Sequence, residues 1–376
     1  MARNRVIYQS EAIFAAPATT TGTLTIASNS IRRVQSCNYN FSIARQDVNQ
    51  FGELAAIDRL ILQEPTVSVD MSYYFEPTGF NEANLGLRRD AVTGTSSTAD
   101  HMLDYIISSG SAYNEKNIYI LTSDAGIDAN DTGANAMGAS SSYNGIIGIG
   151  NCFMTNWSLE AAVGAIPTVS CSFEGQNMVF TGGITAPTVP NPRVNDGSDP
   201  LEFVTLPSGA GLFDSATQVS AVRPGDVTLT LGSSSTDNAP SVGLDESDLK
   251  IQSVTVAMAI NREPIRKLGK LFAFAREITF PITCTMSVSA IVGDAASKKL
   301  FDLINGAGDC NKYNLQLALN GYVGCTTTAK TAYVMLKGAK LDSQNITSSI
   351  GPNKSVTMEF SAQIGRDSGL HFRSAA

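Results

Sequence analysis

Histidine and tryptophan are scarce in this 376-residue sequence, which contains two histidines, His101 and His371, and one tryptophan. Histidine-based nucleophilic catalysis requires an imidazole beside the nucleophile, oriented by a carboxylate. His101 lies in a segment with helical periodicity and His371 in a C-terminal tail, and neither context indicates such a site. No pair of carboxylates suited to glycoside hydrolysis can be singled out either. The sequence therefore favours a structural role over an enzymatic one.

Sequence motifs for cofactors and metals are also missing. Residues 145–151 (GIIGIGN) are glycine-rich but lack the complete dinucleotide-binding pattern, and the chain contains no Walker-type phosphate loop. The carboxylates of residues 124–131 (DAGIDAND) do not follow the spacing of an EF-hand calcium loop, which favours a solvated loop. No apolar run approaches the roughly 20 residues that a membrane helix needs. We therefore expect no cofactor, no metal and no membrane partner.

The chain has few charged residues and a mildly acidic net charge. Of its residues, 16% are charged and 43% are hydrophobic, and the formal net charge is −8. This composition allows a substantial core in each half of the chain and differs from that of a disordered protein. Lys and Arg form no cluster that would bind phosphates. The six cysteines include no C-x-x-C pair, and most lie in apolar, strand-like segments. They are predicted to be free buried thiols rather than disulfides or zinc ligands.

The periodicity of the sequence is mostly that of β-strands. In residues 65–75 (PTVSVDMSYYF), apolar and polar residues alternate as they do in a strand with one buried face. Residues 281–291 alternate in the same way. Residues 99–110 and 297–308 differ, because their apolar residues recur at helical spacing. We predict one helix in each of these two segments.

Two segments about half the chain apart match each other without gaps. Residues 42–54 (SIARQDVNQFGEL) and residues 259–271 (AINREPIRKLGKL) correspond by residue type at a constant offset of 217 positions. A second correspondence, at an offset of 187 positions, relates residues 164–173 to residues 351–360. Matches in fixed register over this much of the chain indicate an internal repeat.

The repeat predicts a mainly β protein of two tandem β-sandwich or half-barrel domains, each with one α-helix, related by internal duplication. The first domain would span residues 1–180 and the second residues 222–376. Residues 181–221 are predicted as a linker or insert, because residues 181–200 are dense in Pro, Gly, Asn and Asp. Residues 123–145 are predicted as a long loop of the first domain.

Three motifs in the second copy carry a family resemblance: Arg262-Glu263, Leu268-Gly269 and Phe280-Pro281. They resemble the segment that joins two long strands in tail tube proteins of long-tailed bacteriophages, and residues 42–74 resemble the same segment. Residues 161–175 (AAVGAIPTVSCSFEG) are similar to the closing strands of that family, where a Gly, a Pro and a Phe-Glu recur. The resemblance covers most of the chain and implies that both domains are of the tail-tube type.

The resemblance further implies a structural subunit and no enzymatic activity. In the two-domain type of this family, three chains form a ring of six pseudo-equivalent domains, and the rings stack into a tube. The implied partners are other copies of the chain in homotrimeric rings, tape-measure protein and phage DNA in the lumen, and a sheath or tail-terminator and distal tail proteins. The implied location is the tail of a virion assembled in the bacterial host cytoplasm. An acidic lumen, suggested by the net charge of −8, would let DNA pass without adhering.

The two copied segments, residues 45–65 and 262–281, mix charged and apolar residues and are predicted to contact the neighbouring ring. Their alternative role is that of ordinary long hairpin connections. The candidate contact residues are Arg45, Asp47, Phe51, Leu54, Asp58, Arg59, Arg262, Glu263, Arg266, Lys267, Leu268, Phe272 and Arg276. The alternative function is that of another virion or surface β-sandwich, such as a decoration, baseplate or adhesin module.

Overall fold

The protein is mainly β, as its periodicity predicts. The computed structural model describes residues 11–87, 100–102, 115–123, 143–182, 188–194, 202–207, 222–231, 249–292, 312–322, 329–348, 353–365 and 368–375. The helical elements within these ranges are short: α1 (Ile26–Asn29), α2 (Phe80–Asn84) and a 3-10 turn, Pro224–Asp226.

The strands are numbered in chain order. Those that begin before the predicted linker are β1 (Glu11–Pro17), β2 (Gly22–Thr23), β3 (Ser30–Ile31), β4 (Val34–Ser42), β5 (Arg45–Val48), β6 (Asp58–Ile61), β7 (Thr66–Tyr74), β8 (Asp100–His101), β9 (Lys116–Ser123), β10 (Tyr143–Ala162), β11 (Thr168–Gly175) and β12 (Asn177–Gly182). The remaining strands are β13 (Thr188–Pro190), β14 (Phe203–Thr205), β15 (Val227–Leu231), β16 (Lys250–Ala259), β17 (Arg262–Ile265), β18 (Ala275–Ile278), β19 (Thr283–Ile291), β20 (Tyr313–Tyr322), β21 (Ala329–Thr347), β22 (Ser355–Gln363) and β23 (Gly369–Ala375).

One continuous antiparallel sheet, the central sheet, runs through the middle of the molecule. Its strand order is β4-β7-β11-β10-β16-β19-β22-β21. At its centre β10 pairs with β16, so that Asn156 is opposite Ala259 and Ala162 is opposite Ser253. The earlier and later parts of the sequence therefore share one ladder of backbone hydrogen bonds, in addition to side-chain packing.

The two longest strands, β10 and β21, each belong to two sheets. The C-terminal part of β10 lies in the central sheet, whereas its N-terminal part pairs with β9 and β12 in an outer sheet that β1 and β3 extend. The N-terminal part of β21 likewise pairs with β20 and β23, and this second outer sheet includes β15 and β8. Register shifts interrupt both long strands where they pass between sheets, as expected because β-bulges bend a strand.

The core lies on one face of the central sheet. Val67, Val69, Met71 and Tyr73 of β7 are all buried there, as their alternation predicts. Trp157 of β10 is fully buried in the same hydrophobic cluster, which contains residues from both outer sheets. The earlier and later parts of the chain therefore share one continuous core.

The segment predicted as a linker contributes ordered structure to the first part of the chain. β14 pairs with β13 and, in parallel, with β2. Asn191, just after β13, is fully buried, and its side-chain oxygen accepts a hydrogen bond from Asn117 Nδ2 at 2.8 Å. Composition did not indicate this packing. A buried segment is usually recognised by its apolar residues, whereas here the buried side chains are amides that hydrogen-bond to each other.

Both predicted helices fall mainly outside the described residues, as do nearly all of residues 123–145. The first predicted helix nevertheless begins wrongly, because Asp100–His101 is β8 and pairs with β23. The expectation that His371 lies in a tail is also wrong, since it is a buried residue of β23. No helix in the described part of the chain is long and apolar enough to cross a membrane.

The two faces of β19 predict opposite responses to mutation. Met286 is fully buried, whereas the preceding residue, Thr285, is exposed on the other face. Met286→Ala should lower the free energy of unfolding by about 2–5 kcal/mol, because it removes buried contacts and leaves a cavity. Thr285→Ala should cost less than about 1 kcal/mol. Denaturant titration of both variants would contradict this description of the core if the two losses were equal.

Candidate functional site

The first hairpin (residues 45–61) extends from the central sheet between β4 and β7. It is formed by β5 and β6, on which Arg59 Nε donates a hydrogen bond to Asp47 Oδ1 at 2.6 Å. Phe51 and Leu54 are fully exposed at its turn. Further exposed apolar residues along this segment, down to and just beyond its base, are Ile57, Leu60, Ile61 and Leu62. An apolar surface of this kind contributes nothing to the core of the single chain and is typical of a protein contact.

The second hairpin (residues 262–278) occupies the corresponding place between β16 and β19. It is formed by β17 and β18, and Leu268 at its turn is fully exposed. Gly52 and Gly269 lie in the two turns with φ of +93° and +82°, a conformation that disfavours residues with a Cβ. The two turns therefore have the same backbone requirement.

A buried ionic cluster, the Glu64 cluster, fixes the base of the second hairpin to the first part of the chain. Arg276 Nη1 donates to Glu174 Oε1 at 2.7 Å, and its Nη2 lies 3.3 Å from Glu64 Oε1. Arg266 Nη2 approaches the same Glu64 oxygen at 3.7 Å, and the Ala273 backbone N–H donates to the other oxygen. Glu64 and Arg276 are both buried, so each neutralises a charge that would be costly if it were alone.

Arg262 adds an aromatic contact beside the Glu64 cluster. Its guanidinium lies 4.9 Å from the centre of the Phe153 ring, and Nη1 donates to the Arg276 backbone carbonyl at 3.3 Å. Burial, assisted by the like charge of Arg276, lowers the pKa of Arg262 to about 10, which leaves it protonated at neutral pH. These contacts fix the second hairpin more firmly than any described contact fixes the first.

The predicted ring-contact residues differ in exposure. The exposed ones are Arg45, Asp47, Phe51, Leu54, Asp58, Arg59, Glu263, Arg266, Lys267 and Leu268. Arg262 and Phe272 are half-buried, and Arg276 is buried within its own chain. Glu64 and Glu174, which bind Arg276, were not predicted from the sequence, because no motif marks a carboxylate that is brought to its partner by strand pairing.

The face of the central sheet opposite the core, the polar face, is covered by small hydroxyl residues. Several of them bond across strands, so that Ser172 donates to Asp70 Oδ1 at 2.6 Å and the Ser36 and Ser72 hydroxyls lie 2.6 Å apart. Ser343 donates to Glu359 Oε2 at 3.0 Å. These hydroxyls already form hydrogen bonds within the sheet, so they are less available to bind another molecule.

The charge on the polar face is weakly acidic. Asp70, Glu160 and Glu359 are exposed on it. Strand pairing places two cations of the described sheet, Lys250 and Lys340, on the same face. Both lie beside β-bulges. The polar face therefore has no basic cluster of the kind that grips phosphates.

In the part of the chain that the structure describes, both ends of the central sheet are open strand edges. Among the described residues, β4 pairs only with β7, and residues 340–347 of β21 pair only with β22. Tyr39 and Phe41 on β4 and Ile346 on β21 expose 36%, 59% and 42% of their surface. An open edge leaves a row of backbone donors and acceptors without partners and favours pairing with another chain.

The described thiols and acidic residues give no sign of redox or metal chemistry. Cys37, Cys152, Cys171 and Cys284 are free, and all but the half-buried Cys37 are buried. Burial raises the pKa of Cys37 and of Cys284 to about 12, so neither is a reactive thiolate at neutral pH. No group of His, Cys, Asp and Glu residues within the described ranges could hold a metal ion.

No known protein family matches the sequence, and a search of curated proteins finds no match.

The Glu64 cluster allows a matched comparison of two arginines at the same place in the two hairpins. Arg276→Met should lower the free energy of unfolding by about 3–5 kcal/mol, because it leaves the Glu64 carboxylate buried without its main partner. Arg59→Met, 217 positions earlier, should cost less than about 1 kcal/mol, because its pair with Asp47 is solvent-exposed. Denaturant titration distinguishes the two.

Adding Glu64→Gln to Arg276→Met serves as the control, since it removes the buried charge and should restore part of the lost stability. Equal losses for Arg276→Met and Arg59→Met, or no recovery in the double variant, would show that the cluster does not fix the hairpin.

Proposed function

We propose that this protein is a structural subunit of a bacteriophage tail tube, located in the virion tail. Its copies would assemble into stacked rings whose lumen conducts DNA and tape-measure protein. The observation that carries the proposal is the central sheet, which has two edges without a further strand among the described residues and a polar, weakly acidic face. A sheet of this kind is complete only when its edges are joined to other strands.

The proposal includes an origin by tandem duplication, which the pairing registers support. Ser36 pairs with Ser72 between β4 and β7, and 217 positions later Ser253 pairs with Ser289 between β16 and β19. The hairpins repeat the same offset, since Arg45 is opposite Ile61 and Arg262 is opposite Ile278.

The positions of the β-bulges support duplication independently of residue type. The register shifts between Val34 and Ser36 on β4, and 217 positions later between Ile251 and Ser253 on β16. It shifts between Met154 and Asn156 on β10, and 187 positions later between Leu341 and Ser343 on β21. Bulges at equivalent positions are typical of related structures, because they are retained features of a fold.

The arrangement of the two edges supports closure into a ring. β4 and β21 are different strands at opposite ends of one sheet, so contact between them is heterologous and continues from chain to chain. Such contacts give a closed ring when the rotation per chain divides a full turn. With two tube domains in each chain, three chains would supply the six pseudo-equivalent domains of the ring.

The polar face would then form the lumen wall, because the opposite face is occupied by the core. Its satisfied hydroxyls and exposed carboxylates suit a channel for DNA, since like charges repel and few cations hold phosphates. The hairpins would extend along the axis to the neighbouring ring, which would cover Phe51, Leu54 and Leu268. A sheath or tail-terminator and distal tail proteins would be the further partners.

The hairpin turns give the first test of this proposal. Phe51→Ser, Leu54→Ser and Leu268→Ser together should leave the stability of the single chain within about 1 kcal/mol of the unmodified protein, because the three side chains are already exposed. The variant should form rings but few stacked tubes when viewed by electron microscopy.

Phe203→Ser is the matched control, since Phe203 is also exposed but lies on β14, away from the hairpins. Tubes of normal length from the triple variant would refute the ring-contact role. Isolated particles from the unmodified protein would favour the alternative of a decoration, baseplate or adhesin module.

Charge on the polar face gives a second test. Assembled tubes carrying Glu160→Lys should retain more DNA than unmodified tubes at low salt, and Asp70→Lys with Glu359→Lys should increase retention further. Retention should fall steeply as salt is raised, because it depends on phosphate contacts. Glu202→Lys, which changes the charge equally at an exposed site off the central sheet, should have little effect. Equal retention by the Glu160 and Glu202 variants would argue against a lumen lined by the polar face.

A further inference from the structure

The junction between β10 and β16 shows how one edge of this sheet accepts another. In this in-chain junction, Ser158 is opposite Ala257 and Leu159 is opposite Val256. Leu159 and Val256 are fully buried on the core side, whereas Ser158 lies on the polar face. The junction thus continues both faces of the sheet from one part of the chain to the other.

The two open edges occupy the same places in their local sheets as the two strands of this junction. β4 pairs with β7 in the register in which β16 pairs with β19, at an offset of 217 positions. The C-terminal part of β21 pairs with β22 in the register in which β10 pairs with β11, at an offset of 187 positions. The open side of β21 therefore corresponds to the side of β10 that β16 covers.

We propose that residues 343–347 of β21 pair antiparallel with residues 38–42 of β4 in a second copy of this chain, in the register of the in-chain junction. This inference rests on the proposed ring assembly and names its contact. Transferring the in-chain pairs by the two offsets places Ile346 opposite Tyr39, Asn345 opposite Asn40 and Ser343 opposite Ser42.

The side chains on the two edges fit this register. Ile346 and Tyr39 are exposed in the single chain, and they would meet on the core side, at the place where Leu159 and Val256 meet in the in-chain junction. Phe41, two residues from Tyr39, lies on the same side, and the transferred register places it opposite Gln344. On the polar face the paired residues would be small and polar, like most residues of that face. A shift by one residue would reverse the faces and place Ile346 against an asparagine.

Cysteine cross-linking tests the partner and the register together. Chains carrying Asn345→Cys are mixed with chains carrying Asn40→Cys, both in a Cys37→Ser background, and are mildly oxidised after assembly. Directly opposed residues on antiparallel strands have Cβ atoms about 4.5–5.5 Å apart, close enough for a disulfide after small adjustments. We expect a covalent dimer of the two variants to be the main product.

Three controls accompany this mixture. Ser158→Cys with Ala257→Cys in one chain is the in-chain equivalent of the tested pair and should form an intramolecular disulfide. Asn38→Cys mixed with Asn345→Cys places the thiols on the same face but two residues out of register, and it should give at least tenfold less product. Asn40→Cys alone should give no dimer.

Electron microscopy of the same samples separates this inference from the proposed function. Rings with a dominant link between positions 38 and 345, or with no link, would overturn the register while the tube proposal stands. A dimer from Asn40→Cys alone would show that two β4 edges pair with each other, which would overturn the choice of partner. Absence of both rings and links would overturn the register and the tube proposal together.

Discussion

A strand at the edge of a sheet carries backbone donors and acceptors that require partners, and this constraint governs the organisation of the protein. The chain satisfies it once internally, where β10 and β16 join its earlier and later parts in one ladder. In the described part of the chain, β4 and residues 340–347 of β21 have partners on one side only. The same hydrogen bonding that unites the chain can therefore unite chains, with no new type of contact.

The two-residue period of a β-strand would couple the proposed assembly to the proposed function. One face of the central sheet is given to the core through residues such as Trp157, Val256 and Met286, all fully buried. The other face is left with hydroxyls, amides and a few carboxylates. In the proposed ring, a register that continued the core from one chain to the next would also continue the polar face, and the polar face would then form an uninterrupted wall. The exposed apolar residues of the hairpins lie off both faces, where they can serve a contact in another direction.

The sequence predicted the features that depend on local patterns. Alternation identified β7 and β19 with the correct buried face, and apolar context predicted free thiols at the described cysteines. The offset of 217 positions between the hairpin segments, read from residue types, recurs in the registers of the strand pairs. The sequence also indicated that residues 45–65 and 262–281 differ from the strands that flank them.

Features that depend on distant pairing could not be predicted in this way. Glu64 is 212 positions from Arg276, and nothing near either residue indicates that strand order will bring them together. The strands β13 and β14 lie in a segment whose Pro and Gly content is typical of a linker. Composition could not predict them, because they are stabilised by distant contacts: pairing with β2 and the hydrogen bond between the buried amides of Asn117 and Asn191. Strand β8 lies in a segment whose apolar residues have helical spacing. It forms a strand because it pairs with β23, and local periodicity gives no information about such a distant partner.

The central claim is that the chain completes its sheet only by joining copies of itself around a hollow axis. A three-dimensional reconstruction of the purified protein by electron cryomicroscopy tests this most directly. The account predicts stacked rings of three chains, in which β4 of each chain continues the central sheet of its neighbour and the polar face lines the hole. Monomers whose two sheet edges remain in solvent, or rings in which the polar face points outward, would contradict it.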